Sequence, residues 1–135
     1  MNKTFRVLAM AAVLPAILAC SQEEHGPHVV FVQPQDGATV GQDVKVVMGV
    51  HGMKVHAAGE VIEGTGHHHL VIDGSFFPQG ETVAKDGTHL HFGKGQTEAA
   101  VHLTPGDHTL TLQFADGHHQ SYGKALSETI RIHVK

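Results

Sequence analysis

Apolar and polar residues alternate along this chain with a period of two, and no stretch keeps a helical period. Across 43–50, Val44, Val46, Met48 and Val50 share one face, and Lys45, Val47 and Gly49 share the other. The same alternation sets Ala99, Val101 and Leu103 on one side of 98–103 and Leu110, Leu112 and Phe114 on one side of 108–115. In 127–134, Ile130, Ile132 and Val134 point inward, with Arg131 and His133 outward. An apolar run over 28–33 is stopped by Pro34. Asp36-Gly37, Asp86-Gly87 and Thr104-Pro105-Gly106-Asp107 supply turns. Short strands separated by turn signals every 8–12 residues or so predict an all-β fold, a single Ig-like or cupredoxin-like antiparallel β-sandwich of about seven strands over 28–135.

Two of the predicted strands carry unusual polar residues. The first reads Gly66-His67-His68-His69-Leu70-Val71-Ile72-Asp73, and the second Thr88-His89-Leu90-His91-Phe92. If Leu70 and Leu90 face one core, strand parity turns His67 and His69, and likewise His89 and His91, to the opposite face, and assigns His68 to the core side. Residues i and i+2 of a strand lie about 6–7 Å apart, so each His-x-His pair is able to converge on one ion. His67, His69, His89 and His91 are therefore the expected ligands, with Asp73 a candidate to hold a ring N–H and His68 a secondary candidate. The glycine-punctuated stretch at 51–59 adds His51, Met53 and His56 as a possible second soft site, and the loop after 115 adds His118 and His119. His25, His28, His102, His108 and His133 read as surface or structural residues. Strand histidines that are merely solvated would show the same alternation, so convergence in space is what decides.

The chain opens on a different pattern. Lys3 and Arg6 precede an apolar run from Leu8 to Leu18 that is too short to span a bilayer. The segment Ile17-Leu18-Ala19-Cys20 resembles the bacterial lipobox. That resemblance implies a signal peptide over 1–19, cleavage before Cys20, a lipid on its sulfur, and a tether over 20–27 leading into the domain. Cys20 is the one cysteine in the chain, so it serves as anchor and no disulfide forms within the chain. Two or more acyl chains give stable attachment, here to the membrane of a cell envelope. Ser21 rather than an acidic residue after the anchor implies the periplasmic face of a Gram-negative outer membrane. Loss of the leader removes two of nine Lys+Arg and none of thirteen Asp+Glu, taking the charge from −4 to −6. An acidic domain argues against nucleic acid, which requires a basic footprint. Fourteen histidines, all beyond the leader, make the charge sensitive to pH near neutrality.

The string at 66–70, with His91-Phe92-Gly93-Lys94-Gly95-Gln96-Thr97-Glu98, Pro105-Gly106-Asp107-His108-Thr109-Leu110 and Ser127-Glu128-Thr129-Ile130, is similar to a bacterial family, the domain-of-unknown-function family 4399. The resemblance covers roughly 28–134. It implies a small exported β domain and supplies no activity.

With Cys20 acylated, no thiolate is left to ligate. Imidazole suits copper, zinc, iron and nickel, and the general affinity order places copper first and zinc second. Met48 and Met53 are possible thioether ligands for Cu(I). The leading expectation is a membrane-anchored module that binds a transition metal for buffering, sensing or delivery to a metal-handling envelope protein. The alternatives are a metal-dependent envelope enzyme and a metal-free interaction or structural domain with pH-sensitive histidines. No Ser-His-Asp, Cys-His or paired-carboxylate pattern supports the enzyme, and no phosphate-loop spacing occurs at 93–97.

Overall fold

The structure, a computed structural model, describes residues 25–135. The expected signal peptide and Cys20 lie outside them. Nine strands follow one another: β1 (His28–Gln33), β2 (Thr39–Val40), β3 (Asp43–His51), β4 (Lys54–Val55), β5 (Thr65–Ile72), β6 (His89–His91), β7 (Glu98–His102), β8 (Gly106–Ala115) and β9 (Ser127–Val134). A single 3-10 turn, Lys124–Leu126, precedes β9. The strands form two sheets, one in the order β1-β3-β7 and the other β2-β9-β8-β5-β4, with β6 also paired to β5. This is the all-β sandwich that the alternation predicts.

Two differences from the expected seven antiparallel strands have one cause. Strands β2 and β4 are two residues long and pair in parallel, Thr39 with His133 and Lys54 with Thr65. Two residues do not make an alternation, so nothing in their local pattern marks them as strands.

Between the sheets lies one apolar core. Val29, Phe31, Val44, Val46 and Met48 come from the first sheet, and Leu70, Leu110, Leu112, Phe114, Ile130, Ile132 and Val134 from the second. The inward parities of β3, β8 and β9 are those of the sequence. At a bulge between Phe31 and Gln33 the backbone N–H of Phe31 donates to the Glu128 carboxylate, tying β1 to β9 across the sandwich.

Strand β5 differs from its neighbours because it is buried on both faces, from Gly66 through Val71. Its inner face carries Leu70 and His68, and its outer face His67, His69 and Val71. The outer face is covered by the chain on either side of β6 and by the loop between β8 and β9. Gln113, directly across from His69 and fully buried, stitches this cover down. Its Oε1 accepts from the N–H of Phe77, and its Nε2 donates to the carbonyl of Gly123. Ser121 Oγ donates to the carbonyl of Phe77, and Val83 N–H to the carbonyl of His119. Val83 is buried beneath the cover.

The close approach of β5 to β8 depends on Gly66. A Cβ there would stand 2.4 Å from the carbonyl oxygen of Ala115 and 2.7 Å from the Phe114 ring. Both are rigid parts of the core, so a methyl group forces the strands apart. Gly66→Ala is therefore expected to destabilise the domain by about 2–3 kcal/mol in urea titrations. Gly41→Ala, which adds a methyl with nothing within 4 Å, should stay within about 0.5 kcal/mol of the parent. Equal midpoints for the two variants would show that β5 does not need the glycine.

Candidate metal centre

Register builds the site. Strand β6 pairs antiparallel with β5, setting His91 opposite His69, Leu90 opposite Leu70 and His89 opposite Val71. Leu90 and Phe92 turn to the core side, and His91 lies over the outer face beside His69. The ring of His67, one pleat away, sits diagonally from His91 with centroids 5.0 Å apart. His119 reaches in from the loop between β8 and β9.

The result is a cluster of imidazoles from β5, β6 and that loop. Ring centroids are 4.7 Å apart for His67–His69, 5.0 Å for His69–His91, 4.6 Å for His91–His119 and 5.1 Å for His67–His119. Two Nε2···Nε2 contacts of 3.0 Å join His67 to His69 and His91 to His119. One ligand nitrogen from each of His67, His91 and His119 lies within 4.8 Å of the other two. Nitrogens bound at 2.0–2.1 Å to one tetrahedral ion stand about 3.3 Å from each other, so modest contraction brings this donor set onto a cation.

The loop that carries His119 is wound tightly. Asp116 Oδ1 accepts from the N–H groups of His118 and Gln120, and the carbonyl of Asp116 accepts from His119 N–H. This winding puts His119 at φ 66°, in the left-handed region that side chains other than glycine seldom enter. The opposite side of the loop is pressed against 58–61. A Cβ on Gly117 would meet the carbonyl oxygen of Glu60 at 2.0 Å, and Gly59 N–H donates to the Gly117 carbonyl. Gly93 is a further close approach, since a Cβ there would fall 2.2 Å from the His91 ring.

Burial keeps His67 and His69 neutral. His67 and His69 are 0% and 1% exposed. Loss of solvent is the largest cause that lowers His67 to about 4 and His69 to about 3, and any charge on His91 or His119 lowers both further. His91 is lowered as well, chiefly by burial and then by His119 and Lys85. Two neutral rings sharing a 3.0 Å contact hold one proton between the facing nitrogens. Nδ1 of His67 and Nδ1 of His69 have no hydrogen-bond partner. Such orphaned buried nitrogens are rare and call for an explanation.

The other expected residues lie elsewhere. His89 shares the face of His91, but its register opposite Val71 removes it from His67, and Asp86 Oδ1 holds its Nδ1 at 2.8 Å. That contact is the leading cause that lowers Asp86 to about 2. His119 occupies the place the sequence assigns to His89. Asp73 serves no ligand ring: it accepts from His108 Nδ1 and from Thr109 N–H. His68 sits on the core side, as parity predicts, edge-on to Phe114 with centroids 5.0 Å apart and neither ring nitrogen bonded. Burial, then His67, lowers it to about 4. His51 stacks on His28, and His56 Nδ1 donates to the carbonyl of Ala57. Met48 is buried between the sheets and Met53 packs on that core, so neither thioether joins the imidazoles. His118 is exposed. The only sequence signal for His119 was its place in a second histidine-rich stretch.

A family model, Domain of unknown function (DUF4399), matches residues 46–135. The chain belongs to this family. The match begins inside β3 and contains the four clustered histidines, while β1 lies before it. No curated protein and no solved structure matches the chain.

The buried imidazoles make the domain acid-sensitive. A histidine whose pKa is depressed by folding contributes stability that is complete above about 6.5 and is lost as pH falls toward the folded value. For His68 alone the loss between pH 7 and pH 5 is about 2 kcal/mol. His108 has the opposite sign. Asp73 raises it, so its contribution is complete below about 6.5 and is lost as pH rises through the elevated value. Urea midpoints of chelator-treated protein should therefore fall steeply from pH 7 to pH 5, and less steeply in His68→Leu. A flat profile in the parent protein would refute the burial of neutral rings.

Proposed function

We propose that this protein is an envelope lipoprotein, anchored through Cys20 to the periplasmic face of a Gram-negative outer membrane, that binds a transition-metal ion through His67, His69, His91 and His119. The observation that carries the reading is the convergence of these rings, with buried nitrogens lacking protein partners and no carboxylate or thiolate among them. A cation binds several such imidazole lone pairs at once. His67, His91 and His119 supply the nearest donors, and His69, bonded to His67, completes a fourth position or orients its neighbour.

An all-imidazole donor set selects borderline ions over calcium and magnesium, which take oxygen. Copper comes first on the affinity order and zinc second. With Met48 and Met53 in the core, preference for Cu(I) has no thioether to rest on, and Cu(II) and Zn(II) are the ions to test. Because His67 and His69 are neutral at pH 7, loading displaces few protons from them, and the ion is retained to lower pH than on free imidazole. The role is buffering, sensing or delivery to another envelope protein. On this reading the domain brings no general acid, base or nucleophile to the ion.

Competition titrations of the purified full-length protein with Cu(II) and Zn(II) are the direct test. His67→Ala and His119→Ala should each weaken binding of the tightest ion by roughly 100-fold, since each removes a ligand rather than a support. His89→Ala should change it by less than about threefold, being outside the ring cluster. Tight binding that survives His67→Ala and His119→Ala together would end the proposal.

A further inference from the structure

The outer surface of the three-stranded sheet carries a second histidine arrangement, on the other sheet from the buried cluster. Strands β1 and β3 pair with His28 opposite His51, at the end of the ladder where the chain leaves the tether. Val29 and Val50, the next residue on each strand, face inward, so both histidines face outward on one side of the sheet. Their rings lie parallel, 24° apart in plane with centroids 4.8 Å apart. His25 stands edge-on to His28 at 6.3 Å.

The two rings are held in place. Nδ1 of His28 is 2.8 Å from the carbonyl oxygen of Gly26. A carbonyl oxygen only accepts, so Nδ1 carries a proton, which leaves Nε2 as the ring atom that can offer a lone pair to an ion. A backbone carbonyl on the far ring nitrogen is also the usual support of a metal-binding histidine. Pro27 packs on the turn after His51: a Cβ on Gly52 would meet Pro27 Cα at 3.1 Å and its Cγ at 3.2 Å. Gly52 has φ 75°, a conformation that glycine takes without strain. The residue before β1 and the residue after β3 are thus locked together, which fixes the flanking histidines as neighbours.

We propose that His28 and His51 form a second, surface site for a borderline divalent ion such as Cu(II), Ni(II) or Zn(II), with water filling the remaining positions. Cross-strand partners have Cβ atoms about 5 Å apart, a span that two imidazoles close on one ion without moving the backbone. Two donors and exposure to solvent make this site weaker and faster to exchange than the buried one. It stands on its own geometry and does not depend on the buried cluster binding metal.

Equilibrium dialysis of full-length protein in detergent against Zn(II) at pH 7, over a range that resolves two affinities, separates the sites. The parent should bind a weaker ion that His28→Ala/His51→Ala loses and His28→Gln alone weakens at least fivefold. His67→Ala/His119→Ala should retain that weaker ion. His102→Ala serves as the control, because His102 is an exposed histidine bonded to Asp43, and it should leave the weaker step unchanged. The proposal is overturned if the His28→Ala/His51→Ala protein keeps the weaker step, or if His102→Ala removes it equally, which would mean scattered surface binding. Circular dichroism of each variant at the dialysis temperature confirms that a lost step is not lost folding.

Discussion

Burial of β5 on both of its faces is the constraint from which the rest of the molecule follows. A strand in a two-layer sandwich ordinarily turns one side to the core and the other to water. Here the outer side carries His67 and His69, and a long excursion around β6 and the loop at 116–123 lie over it instead. Those segments cannot fill the space with apolar side chains alone, because their own backbone groups need partners. Gln113, from β8, and Ser121, from within the cover, provide them, and both are buried. The extra layer exists on one sheet only, and the imidazoles lie beneath it.

Placing imidazoles in such a position is costly unless their nitrogens are bonded. The two shared contacts of 3.0 Å satisfy half of each pair and leave Nδ1 of His67 and His69 alone. Leucine and phenylalanine of similar volume would pack this space at no such cost. A polar set placed there at that cost, assembled from three separate elements, is a donor set that could hold a metal ion. His68 shows the contrast. It faces the apolar side by itself, against Phe114, and no second histidine meets it there.

The fold and three of the four clustered rings, those of His67, His69 and His91, were legible because both rest on strict periodicity. Alternation located every strand longer than two residues and assigned the inward faces of β3, β8 and β9. It also divided the triple histidine correctly, since parity is a property of the strand and not of its surroundings. What escaped was register. Parity places His89 and His91 on one face but does not say which of them lies beside His67. That depends on where β6 stops and on the pairing of His91 with His69. His119 is set by an aspartate-anchored turn on a loop, where no period exists. Asp73 looked available as a support for the cluster, and it is engaged by His108, outside it.

The winding of the loop at Asp116 divides the donors into two mechanical classes. Those on β5 and β6 belong to a sheet whose ladder must break before they move. His119 belongs to a loop held outside that ladder, by Asp116 Oδ1 accepting two N–H groups and by backbone bonds such as Val83 N–H to the His119 carbonyl, with a left-handed residue at its turn. Opening those bonds would leave the β5–β6 ladder under the other rings intact. On the proposed reading, the sheet would set how well the pocket is formed, and the loop would set how long an ion stays in it.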